Sequence, residues 1–306
     1  MKYIRLFVIC LSVFYPLIAS SAFAQGQAGT DIAVLNAGVG ARALGMGSAF
    51  TAIADNADAP YWNPGGLGFI SSCEITTMQT KLSTDVDHYY ISYVQPALGG
   101  TIGISWVQVG LGDISQTSSE VDYNNEVQNI SIFSYFSNAY LLSYGKELNE
   151  HISVGLTAKY LTSDMFSIAG GQAEGYSVTP GILLRLAKHV TVGMKIDELI
   201  NQQNWGTGTV ERVRPKLRLG LAYQAPNPGT FAVDISQTLK SDYAPEISAG
   251  YEYITGNLSF RAGAADGGVT AGAGFEVDHV RVDYAFVSQR ALSASNVNRI
   301  SLSGNW

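Results

Sequence analysis

Apolar and polar residues alternate with a period of two along most of this chain, from Cys73 to its last residue. The longest regular run sets Ile152, Val154, Leu156, Ala158 and Tyr160 on one face and Ser153, Gly155, Thr157 and Lys159 on the other. Val190, Val192, Met194 and Ile196 repeat the scheme, as do Leu217, Leu219, Leu221 and Tyr223. Further runs occupy 231–235, 247–253, 258–264, 269–277 and 280–286, and Ile300, Leu302 and Trp306 share a face at the end. Runs at 73–82, 87–96, 100–110, 137–147 and 176–186 are less regular. The pattern predicts fourteen β-strands, each with one apolar face. Connections near 96–100, 147–151, 186–189, 224–229, 254–257 and 277–279 are short. Those near 111–136, 163–175, 198–213, 239–244 and 288–297 are longer, and 264–268 is intermediate.

The stretch before the strands has a different period. Val39, Ala43, Met46, Phe50 and Ile53 recur at helical spacing, which predicts a helix over 39–54. Gly45, Gly47 and Ser48 oppose that stripe and would let the helix press against a surface. Asp55, Asn56, Asp58 and Pro60 stop the helix. Tyr61-Trp62-Asn63-Pro64-Gly65-Gly66-Leu67 then supplies a rigid turn, with Asn63-Pro64 expected to bend the chain into the first strand.

Charge decides between a soluble sheet and a membrane barrel. Charged residues are 14% of the chain, and those in the clean strands all fall on the polar face. They are Lys159, Lys195, Lys216, Arg218, Arg261 and Arg281 against Asp197, Asp234, Glu246, Glu252, Glu276 and Asp283. A charge facing lipid at mid-depth costs about 2–4 kcal/mol, so a bilayer enforces this segregation. Backbone groups in lipid must all be paired, so the sheet has to close. Short connections on one side and long ones on the other fit an outer-membrane barrel, the short side periplasmic. The expected architecture is all-β: a 14-stranded antiparallel transmembrane barrel over 73–306, with a small helical plug over 25–72. The balanced lumen charges are expected to pair with one another and with the plug. No permanently open pore is then expected. Tyr93, Trp106, Tyr140, Tyr144, Tyr160, Tyr223, Tyr251 and Tyr284 suit an interface girdle or the barrel wall.

Composition adds the compartment. Residues 1–24 read as a secretory signal peptide: Lys2 and Arg5, an apolar core from Leu6 to Ile18, then Ala22-Phe23-Ala24 at the cleavage site. Its removal takes away two cations, so the net charge of −7 becomes −9. That balance argues against nucleic acid as a partner. Cys73 is then the sole mature cysteine, which excludes an intrachain disulfide. No later segment reaches 18 uninterrupted apolar residues, so no transmembrane helix is expected.

Candidate chemistry is sparse. His151, His189 and His279 sit in separate turns that do not converge, so no metal site is expected. Gly38-x-Gly40-x-x-Ala43 lacks a surrounding βαβ unit, and no phosphate-binding loop or Gly-x-Ser-x-Gly elbow is present. Asp55-Asn56-Ala57-Asp58 lacks calcium-loop spacing. No cofactor and no enzymatic activity are expected.

One stretch resembles a known family. Gly40-Ala41-Arg42-Ala43-Leu44-Gly45-Met46-Gly47, then Ala49-Phe50-Thr51-Ala52-Ile53-Ala54-Asp55, then Tyr61-Trp62-Asn63-Pro64 resemble the N-terminal signature of FadL-like outer-membrane barrels, most closely their PorV/PorQ branch. The turn departs mildly, with Gly65 where the family has Ala. The resemblance implies a Gram-negative outer-membrane protein whose N-terminal segment plugs the lumen, with Trp306 as a C-terminal signal for the barrel-assembly machinery. It implies two functions. The PorV/PorQ branch points to a docking or shuttle component of type IX secretion, with secreted proteins or secretion components as partners. FadL-like proteins point instead to transport of a hydrophobic small molecule. The 111–136 loop is acidic (Asp113, Glu120, Asp122, Glu126) and lacks the apolar helices expected for gathering a lipid-like ligand, so the secretion reading leads.

Overall fold

The computed structural model describes residues 32–306 except 84, 122, 167, 240–243, 266–267 and 289–295; the expected signal peptide and residues 25–31 lie outside the described residues. The alternating runs form strands β1 (Glu74–Ser83), β2 (Val86–Ala97), β3 (Gly100–Val121), β4 (Val127–Asn149), β5 (Ile152–Phe166), β6 (Gln172–Ala187), β7 (Val190–Asp197), β8 (Ile200–Trp205) and β9 (Val210–Glu211). They continue as β10 (Lys216–Gln224), β11 (Gly229–Thr238), β12 (Glu246–Thr255), β13 (Leu258–Ala265), β14 (Gly268–Val277), β15 (Val280–Val287) and β16 (Val297–Asn305). Every pairing is antiparallel, and β16 returns to β1 from Glu74↔Asn305 to Thr80↔Arg299. The wall is therefore a closed barrel of fourteen strands, β1–β7 and β10–β16. β8 prolongs β7 by pairing with the outer part of β6, and β9 pairs only with β8.

Closure follows from the side-chain pattern. Ile300, Leu156 and Val282 point outward and are 58%, 49% and 46% exposed, while their neighbours Ser301, Thr157 and Asp283 are buried in the lumen. An apolar outer face this continuous is stable only against lipid. The alternation inverts near the outer rim, where Leu161 turns inward and is buried. At that level the outer face carries a polar cluster. Trp106 Nε1 and Gln108 Nε2 both donate to Asn138 Oδ1 at 3.2 and 2.9 Å, and Asn138 Nδ2 donates to Thr162 Oγ1 at 3.3 Å. At the opposite rim, Cys73 and Trp306 exchange both backbone hydrogen bonds, and the Trp306 ring stacks on Tyr93.

Three sequence expectations need correction. The helix expected over 39–54 is confined to α2 (Ala41–Gly45), preceded by α1 (Ala33–Asn36) and followed by α3 (Ala59–Trp62). Gly47 and Ser48 adopt φ of 65° and 64°, which ends the helix, so Met46, Gly47, Phe50 and Ile53 lie beyond it. Asn63-Pro64 does not lead straight into β1, because a 3-10 helix over Pro64–Phe69 intervenes. The 111–136 loop is mostly strand, since β3 and β4 run 22 and 23 residues. That extension carries polar residues on both faces, so the alternation fades where the hairpin leaves the membrane.

Candidate functional site

The segment before β1 lies inside the ring. Val34, Val39, Met46, Phe50 and Leu67 are fully buried there, and Ile53 nearly so. Its backbone touches the wall backbone directly, because glycine faces glycine or a carbonyl. A Cβ on Gly45 would stand 3.3 Å from the Gly272 Cα, and one on Gly47 would stand 2.7 Å from the Ala249 carbonyl oxygen and the Ala264 nitrogen. From the wall side, a Cβ on Gly155 would meet the Pro64 carbonyl at 2.0 Å, and one on Gly250 the Met46 carbonyl at 2.2 Å.

The turn is locked by side chains. Asn63 Oδ1 accepts from the Gly65 amide at 3.0 Å, and Nδ2 donates to the carbonyls of Thr51 at 2.7 Å and Ile182 at 3.1 Å. Trp62 Nε1 donates to the Val39 carbonyl at 2.9 Å, with its ring edge-on to Phe50 and Tyr61. The Tyr61 hydroxyl donates to the Leu35 carbonyl and accepts from the Gly38 amide.

Lumen charges hold this segment in two groups. In the first, Arg42 binds both oxygens of Glu252 at 2.9 and 2.8 Å and also pairs with Asp55 at 2.6 Å. Glu252 pairs in turn with Arg261, Arg261 with Asp283, and Arg281 lies 3.5 Å from Asp283 and 3.7 Å from Glu276. In the second, Lys195 and Arg218 share Asp197 at 2.7 and 2.8 Å, Lys159 pairs with Glu198, and Lys216 with Glu246. Lys195 Nζ also donates to the Tyr61 carbonyl at 3.0 Å. Asp234 stands apart, accepting from the backbone amides of Phe50 and Thr51 at 3.1 and 2.9 Å.

Sequence reasoning missed Arg42, Glu198 and Arg299 as lumen groups. Arg42 is the single charge between Asp31 and Asp55, and that isolation was the available signal. Glu198 falls in an expected connection, whereas the chain turns it inward at φ 55° between β7 and β8. Arg299 sits on the polar face of β16 and donates to the carbonyls of Ala37 and Gly38. Among the described residues, no cluster of His, Cys, Asp or Glu has the arrangement of a metal site.

Between this segment and the outer half of the wall lies a cavity of about 430 Å³. Leu44, Trp62, Ile247, Ala265 and Val287 give it apolar surface, while Ser48, Tyr61, Lys216, Arg218, Glu246 and Arg299 give it polar surface. Lys216, Ser236, Glu246, Gly268 and Val287 place it at the long-loop ends of β10, β11, β12, β14 and β15. Its base is the lumenal segment itself.

No protein-family model matches the sequence, and no curated protein is significantly similar to it. Solved structures do share its fold. The Pseudomonas putida toluene transporter TodX superposes with a TM-score of 0.67 at 14% identity, covering 88% of this chain and 99% of TodX. The CymD monoaromatic hydrocarbon channel gives 0.64 at 12% identity, covering 91% and 99%. A Pseudomonas aeruginosa FadL homologue gives 0.53 at 10% identity, covering 93% and 99%. At these identities the likeness is one of fold, that of FadL-type outer-membrane barrels.

Proposed function

We propose that this chain is an outer-membrane channel of a Gram-negative cell, passing small hydrophobic molecules, with residues 32–72 as the plug that gates it, and that it is not an enzyme. The observation that carries the reading is the cavity of about 430 Å³ at the long-loop end of the lumen, whose floor is the plug. A ligand seated there touches the plug at Leu44, Ser48, Tyr61 and Trp62, and it opens the channel to the extent that it binds better with the plug shifted. The volume falls within the usual range of small-molecule sites. The similar solved structures include a toluene transporter and monoaromatic hydrocarbon channels, which supports passage over the type IX secretion reading. The PorV/PorQ assignment rests on residues 40–67 alone.

Toluene uptake by outer-membrane-permeability assay in cells expressing the chain tests the proposal. Uptake severalfold above that of cells lacking it is expected. Equal uptake with and without the protein contradicts the reading.

A further inference from the structure

β3 and β4 outgrow the barrel. Pairing of β2 with β3 ends at Val86↔Leu111, and pairing of β4 with β5 ends at Ser134↔Phe166. Beyond those pairs, and among the described residues, the two strands pair only with each other, from Ile114↔Phe133 to Val121↔Val127. At about 3.3 Å per residue, the chain from Leu111 to Val121 carries this ribbon roughly 33 Å past the last β2–β3 pair. Below it the outer face carries the polar cluster of Gln108, Asn138 and Thr162, and the Phe136–Phe166 aromatic pair just beyond that cluster closes the lipid-facing band. The ribbon therefore stands in water on the outer side.

Three properties set it apart from a solvated loop. Large apolar side chains are open to water: Tyr123 is fully exposed, and Val121, Val127, Ile130 and Ile132 are 54–64% exposed. Both of its long backbone edges lack a neighbouring strand among the described residues. A two-stranded ribbon alone in water is marginally stable, and an open edge is a template for one more strand. Residues 111–136 also carry Asp113, Glu120, Asp122 and Glu126 with no Lys or Arg, so the segment's charge is of one sign.

These properties select an occupant. An added strand satisfies the open edge and covers the apolar side chains on alternate positions. The uniform negative charge repels a second copy of the same ribbon and attracts a cationic partner. We propose that residues 112–133 form a docking surface for an extracellular polypeptide segment in extended conformation, with alternating apolar and Lys or Arg side chains, that adds as a strand to the ribbon edge. The surface lies outside the lumen, and the inference does not depend on the transport reading.

The test uses the full-length protein in detergent micelles at physiological salt. The probe is a fluorescent ten-residue peptide of alternating Val and Lys, followed by anisotropy. A second peptide of the same sequence is N-methylated at alternate residues, which removes backbone donors and keeps charge and side chains. Saturable binding of the first peptide is expected, with affinity about tenfold weaker for the N-methylated one. Ile130→Ser with Ile132→Ser should weaken binding comparably, heat-modifiable migration verifying that the barrel is folded. Absence of binding overturns the proposal. Equal affinity for the two peptides overturns it too, because that outcome is charge attraction without strand addition. Binding unchanged by the Ile130 and Ile132 substitutions also overturns it, placing the peptide elsewhere on the micelle.

Discussion

Asp234 shows how single residues hold the lumenal segment. One carboxylate oxygen accepts from two consecutive backbone amides, Phe50, which it shares with the Ser48 carbonyl, and Thr51. Asp234→Ala orphans the buried Thr51 amide, at about 1–3 kcal/mol, while the Phe50 amide keeps the Ser48 carbonyl at 3.0 Å. The expected outcome is faster protease cleavage near residue 50 in the folded barrel, with Asp234→Asn intermediate. Cleavage at the parental rate in both variants would contradict the pinning role. Arg42 does comparable work by charge, since its guanidinium engages both oxygens of Glu252 and also Asp55. Removing one partner of a buried pair costs about 3–5 kcal/mol, discounted here because Asp55 is partly exposed and Arg261 still neutralises Glu252. Arg42→Met should therefore lower the denaturant midpoint for loss of heat-modifiable migration. Arg42→Lys should recover part of the loss, because an ammonium keeps the charge but not the two-pronged geometry.

At the scale of elements, the close approach of segment and wall depends on glycine. Gly47 has φ 65° and backbone atoms at 2.7 Å from where a Cβ would stand. Gly47→Leu is expected to abolish seating of the segment, read as a loss of folded, heat-modifiable protein or as a leaky barrel. A variant indistinguishable from the parent would refute close packing there. The wall strands were legible in the sequence because lipid on one side and a polar lumen on the other impose a period of two on residues such as Ile152–Tyr160. That constraint ends at the membrane surface, which is why the outer halves of β3 and β4 read as a loop. The apolar stripe of Val39, Ala43, Met46, Phe50 and Ile53 correctly marks buried residues, but its spacing suggests one long helix that does not form. A segment enclosed on all sides buries its apolar residues in any conformation, and the left-handed Gly47 and Ser48 break the helix after Gly45. The charges on the polar face could be placed in the lumen from sequence. Their partners could not, because pairs such as Arg42 with Glu252 join residues 210 positions apart.

For the whole molecule, closure of the ring and filling of its lumen are one problem. The barrel hides its backbone from lipid through the β1–β16 seam, and the lumenal segment hides Val34, Val39, Met46, Phe50 and Leu67 from water. Each such side chain contributes about 1.5–3 kcal/mol on burial, so spontaneous departure of the segment from the lumen is expected to be rare. In the proposed channel, passage then requires a ligand or partner to shift it. Planar-bilayer recording tests this most directly. The intact protein should give no steady conductance, and deletion of residues 25–66 should produce large, stable channels. Large, stable, porin-like channels from the intact protein would contradict a barrel closed by its own N-terminal segment.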